Sequence, residues 1–96
     1  MVITKSEPYT KEEIEKLRET FDSYIKTVID INKKVCSAGC DRHFESEQIL
    51  LEQGSEQSDI WGGGIDMDSN PSNDILDPLK RKKYDELTKY YFKEIL

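Results

Sequence analysis

The sequence predicts an α+β fold. A long N-terminal helix and a shorter C-terminal helix are expected to pack on a small antiparallel sheet. Three observations lead there. Apolar residues recur every three or four positions from Ile14 to Val35. Two short apolar segments flank a polar turn between Gln48 and Met67. Asp77-Pro78 then opens a second helical pattern.

Residues 1–5 alternate loosely and read as an edge strand, which Pro8 ends. Thr10 is a good helix N-cap, because Glu13 three residues later completes a capping box. Tyr9 and Ile14 occupy the positions of a hydrophobic staple. Behind this start, Ile14, Leu17, Phe21, Tyr24, Val28, Ile31 and Val35 form a heptad-like seam, widened by Ile25 and Ile29. Glu12–Lys16, Asp22–Lys26 and Asp30–Lys34 are i,i+4 pairs with the acid first. Gly39 is placed as the residue that ends the helix. Such a helix would run about 25 residues, or about 37 Å. That is long for this chain, so a second copy is expected to cover part of the seam in a homodimer.

Residues 40–47 are polar and read as a loop. Gln48 to Gln53 is the first strand candidate, Gly54 to Ser58 the turn, and Asp59 to Met67 the second strand. Gly62-Gly63-Gly64 within that strand signals a bulge or a close backbone approach. Asp68 to Asp74 is a turn-rich connection. Asp77 then caps a helix with Pro78 at its first position and an apolar stripe of Leu79, Tyr84, Leu87, Tyr91 and Ile95.

The totals bound the function. A chain of 96 residues is one domain, 1–96, with a modest core. No apolar run approaches the ~20 residues that span a bilayer, and no secretory signal is expected. Two cysteines in such a chain read as reduced thiols, which places the protein in the cytoplasm. The net charge is −6, concentrated in residues 40–79, where Arg42 faces ten acidic groups. A segment this acidic repels nucleic acid. The basic run Lys80-Arg81-Lys82-Lys83 is more simply a solvated face, or a partner for the acidic segment.

Four constellations carry possible chemistry. The first is polar. Glu52, Ser55, Gln57, Asp59 and Trp61 could converge at one end of a hairpin, with His43 arriving from the preceding loop as base or ligand. The plainer account is a hydrogen-bonded turn with Trp61 in the core. The second is Cys36-x3-Cys40-x2-His43, two thiols and an imidazole that zinc would accept, with Glu45 or Glu47 as fourth ligand. The usual spacing is Cys-x2-Cys, and a buried thiol at a helix end explains Cys36 as well. The third, Asp66 to Asp77, matches the alternation of a calcium loop, but Pro71 occupies the position of the required Gly. An Asx-rich turn is the simpler account. The fourth is nucleophilic. Ser55 and Cys36 have only His43 as base, and no Gly-x-Ser-x-Gly elbow exists. Gly62-Gly63-Gly64 lacks the Lys-Ser/Thr of a phosphate loop and is flanked by Asp59 and Asp66.

The run Leu50-Leu51-Glu52-Gln53-Gly54-Ser55-x-Gln57-x-Asp59-x-Trp61-Gly62, preceded by His43, resembles the signature of a small uncharacterised prokaryotic family. That family is a domain of unknown function of about this length. The resemblance extends to the N-terminal helix and the Asp77-Pro78 helix start. It implies a small α+β fold and a polar site candidate, with no assigned reaction; the cofactor is left unknown. The chain departs from the family after Ile65. Members carry a longer connection with a further strand and an Arg-Pro-Ser stretch, where this chain has Asn70-Pro71-Ser72.

With no complete catalytic set, the sequence favours a non-catalytic binding or protein-interaction module. The alternative is a small enzyme, or a ligand or metal sensor, built on His43, Glu52, Gln57 and Asp59.

Overall fold

A computed structural model describes residues 2–20, 24–66 and 71–95. Its described residues form β1 (Ile3–Lys5), α1 (Lys11–Thr20), β2 (Tyr24–Asp30), β3 (Val35–Ala38), α2 (His43–Glu52), β4 (Ile60–Asp66), β5 (Pro71–Asn73) and α3 (Pro78–Tyr91). One 3-10 turn, Gln57–Asp59, precedes β4. The strands make one antiparallel sheet in the order β1-β3-β2-β4-β5.

The class is α+β, but the long N-terminal helix is not present. Helix α1 spans 10 residues, and the longest helix is the C-terminal α3 with 14. The seam from Ile14 to Val35 is divided between α1, β2 and β3. Two physical reasons decide this. Residues 25–31 hold five β-branched side chains, Ile25, Thr27, Val28, Ile29 and Ile31, which favour a pleated strand over a helix. Asp30 then supplies turn chemistry. Its Oδ1 accepts the backbone N–H of Asn32 (2.9 Å) and Lys33 (2.8 Å) and closes the β2–β3 turn. A single helix of about 37 Å would also exceed the longest dimension of the molecule, 31 Å. Ile14, Leu17, Val28 and Ile31 are buried within one chain. Phe21 lies outside the described residues.

The other expected boundaries divide in the same way. The capping box forms, with Glu13 Oε1 accepting from Thr10 N (2.9 Å) and Thr10 Oγ1 from Glu13 N (3.1 Å). Lys5 Nζ joins Glu13 at 2.8 Å and, with these bonds, holds its carboxyl below the usual range. Residues 3–5 form the edge strand. The strand expected from Asp59 to Met67 is present as β4. Gly39 has the expected positive φ, 95°, but it follows a strand and donates to Lys26 O. Asp77 caps α3 through Leu79 N and Lys80 N, with Pro78 in the first turn.

Gln48 to Glu52 is helical, part of α2, with Gln53 as its C-cap, rather than a strand. The reason lies at its end. Gly54 has φ 98°, Ser55 N donates to Leu50 O, and Gly54 N donates to Leu51 O. This is a Schellman ending, and Leu-Leu-Glu-Gln-Gly-Ser is the sequence of a helix terminus. β5 falls inside the stretch expected to be a connection.

The two faces of the sheet feed two cores. Ile25, Ile29, Cys36, Ala38 and Ile65 pack with Ile14 and Leu17 of α1 and Tyr84 and Tyr91 of α3. Val28 and Ile60 face the other way and pack with Leu50 of α2. Tyr9 ties the first layer together. It is fully buried, stacks on Phe92 at 5.1 Å, and donates its hydroxyl toward Ile3 O (2.7 Å) and Cys36 O (3.1 Å). On the second face, Thr4, Ser37 and Ser46 form a hydroxyl ladder that joins β1, β3 and α2.

Gly64 is where the sheet admits no side chain. A Cβ there would stand 2.5 Å from Ile25 O and run into the Tyr24 ring. Gly64→Ala should therefore lower stability by about 1–3 kcal/mol in urea unfolding, the range for overpacking. At Gly62 the nearest atom is the His43 ring at 3.0 Å, which can move, so Gly62→Ala should lose less.

The buried acids of the first core set an alkaline limit. Burial, reinforced by the nearby Cys40, pushes the Cys36 thiol up to about 12 against a hydrogen bond to Tyr9 that acts the other way. Burial also raises the hydroxyls of Tyr9, Tyr84 and Tyr91. A folded value above the unfolded one means that the native state holds protons the unfolded chain releases. Stability should be complete below the unfolded thiol value of about 8.5 and decline as pH rises toward 12. The urea midpoint followed against pH measures this. Thiol reagents should modify Cys36 only at the unfolding rate.

Candidate functional site

The polar residues singled out in the sequence do not converge on one cleft. His43 begins α2 and Glu52 ends it, about 13 Å apart along a helix of this length. The imidazole lies over Gly62, and its Nε2 is 2.8 Å from Gly63 O, which fixes this nitrogen as the donor. Glu52 is exposed. Ser55 serves the helix ending through its backbone. Gln57 donates its side-chain amide to Glu47, and Asp59 accepts Ile31 N at its carbonyl. Trp61 faces α3, on the side of the sheet opposite His43, with Lys80 Nζ 4.9 Å from its ring centroid.

Of the proposed metal donors, Cys36 and His43 are likewise separated. Cys36 and Cys40 are buried free thiols. Cys36 belongs to the core under α1 and α3, whereas His43 lies on the α2 side. Among the described residues no three His, Cys, Asp or Glu side chains gather as metal ligands. Asp68 and Asn70 of the calcium-like stretch lie outside the described residues, and Asp77 is engaged as the α3 cap.

A different site does form. The β2–β3 turn and α3 enclose a cleft of about 730 Å³. The turn contributes Ile31, Asn32 and Lys34. Helix α3 contributes Lys83, Glu86, Leu87, Tyr90 and Tyr91, which recur at helical spacing and share one face. Ser6 closes one end. Tyr91 is fully buried, and its hydroxyl has no hydrogen-bond partner among the described residues. Tyr90 is 45% exposed and meets Tyr91 edge-on at 5.3 Å.

Lys34 has an unusual backbone. Its φ is 59°, the left-handed region that Gly or Asn enters far more readily. The turn requires that conformation, because Lys34 N returns to Asp30 O (2.9 Å). Asp30 is itself fully buried, with Oδ1 committed to the turn and Oδ2 without a partner among the described residues.

None of the cleft residues was a site candidate in the sequence. Lys83, Leu87 and Tyr91 appeared there only as a basic run and an apolar stripe. The signal that could have found them is the Asp-x-Asn-Lys-Lys stretch at 30–34, which reads as a tight turn once the preceding segment is taken as a strand.

Asp30 is the residue that shapes the cleft. Asp30→Ala should cost about 1.5–3 kcal/mol through two lost charge-assisted bonds and should broaden the amide signals of residues 31–34. Asp30→Asn, which keeps the acceptor, should lose much less. Equal losses for the two variants would show that Oδ1 does not hold the turn.

Among the described residues no helix is long and apolar enough to cross a membrane. Searches of the curated proteins and of the solved structures return no match. The family model described as "Protein of unknown function (DUF5674)" matches residues 2–89, nearly the whole fold from β1 into α3, and the chain belongs to that family.

Proposed function

We propose that the protein is a non-catalytic binding module whose ligand docks in the cleft between the β2–β3 turn and α3. The observation that carries this reading is the cleft itself, whose lining includes Tyr91, a residue with a buried hydroxyl that has no partner among the described residues. A buried polar atom without a partner lowers stability, and such atoms are uncommon in native cores. The cleft pairs this group with two lysines and the half-exposed ring of Tyr90, a mix of apolar wall and few polar groups that suits a small ligand. The two buried free thiols suit a reducing compartment, and we place the protein in the cytoplasm.

Two variants separate binding from folding. Tyr91→Phe should leave stability unchanged or raise it by up to about 1 kcal/mol, since no hydrogen bond is lost. The same variant should abolish ligand-induced thermal shifts found in a metabolite screen. Tyr90→Ala should weaken those ligands with little effect on the fold. Ligands that perturb the amides of His43, Gly62 and Gly63, and leave residues 31–34 and 83–91 unmoved, would support the enzyme or sensor alternative instead.

A further inference from the structure

Resting on that reading of the cleft, we infer that its ligand is a small organic oxyanion, a carboxylate or phosphate monoester joined to an aromatic or aliphatic group.

The charge balance points this way. The chain as a whole carries −6, yet the cleft presents Lys34 and Lys83 against the single carboxylate of Glu86. Neither ammonium is held in an ion pair among the described residues. Both can therefore turn to a ligand without breaking an existing bridge.

The backbone at Lys34 is the second, independent observation. At φ 59° a side chain is strained where glycine would not be. The fold itself makes no use of this side chain, which forms no hydrogen bond or ion pair among the described residues. What the strained position does achieve is to hold a cation at the cleft rim, across from Lys83 on α3.

The remaining wall accounts for the organic part. Leu87 and the exposed ring of Tyr90 offer an apolar surface beside the two cations.

The inference is tested by NMR titration of the full chain with four probes of similar size. Phenyl phosphate and benzoate carry the anion, benzylamine the opposite charge, and benzyl alcohol none. The two anions should shift the amides of residues 31–34 and 83–91, less so in high salt. Lys83→Gln should weaken them about tenfold, and Lys34→Gly should do the same while raising the thermal midpoint. Benzyl alcohol or benzylamine binding to the same amides as tightly as the anions would overturn the ligand class and leave the cleft standing. Silence of all four probes at those amides up to millimolar concentration would overturn the inference and count against the cleft. Anion binding that is unchanged in Lys34→Gly and Lys83→Gln would also overturn it.

Discussion

The structure depends on β2. It is the central strand of five, hydrogen-bonded to β3 on one side and β4 on the other. Its alternation feeds both cores at once. Ile25 and Ile29 belong to the layer under α1 and α3, and Val28 to the layer under α2. A side-chain period of two makes this partition rigid, because a one-residue slip would exchange the layers. Tyr84 reads the same register through the hydroxyl it shares with Thr27 at 2.7 Å, fully buried between strand and helix.

The polar groups of the interior follow from this layering. Small hydroxyl residues let α2 lie close on the sheet, and the Thr4–Ser37–Ser46 ladder satisfies them without water. His43 and the glycines of β4 form a matching contact at the other edge of the same layer. The imidazole occupies the space that a side chain at Gly62 would fill, and it donates to Gly63 O. This gives His43 a structural task, which competes with its use as a base.

Function gathers where the layering stops. Beyond the end of β2, the chain turns tightly through Asn32 and Lys33, and the open space between that turn and α3 remains as the cleft. Two features stand out there: Tyr91, whose buried hydroxyl has no partner among the described residues, and a lysine rather than a glycine at the left-handed position the turn requires. Strain and unsatisfied polarity tend to persist where a ligand uses them. The exposed Leu76 and Leu79 near the start of α3 add a second surface available for contact, 87% and 75% accessible.

Much of the local structure was legible in the sequence. The Thr10–Glu13 box, the edge strand, the β4 strand and the Asp77-Pro78 helix start all rest on interactions within a few residues, and local chemistry decides them. The segment from Tyr24 to Val35 was not legible, because its apolar residues satisfy a helical period and a strand period together. The choice fell to contacts with β3 and β4 that no local window contains. Gln48–Gln53 failed in the same way, since a short apolar run is helical or extended according to what it packs on. The cleft is the extreme case. Residues 31–34 and 83–91 are about fifty positions apart. The sequence by itself determined the N-terminal helix caps and the α+β class, whereas only the tertiary structure brought Lys34 to Tyr91, because side chains that distant meet only after the sheet has set its register.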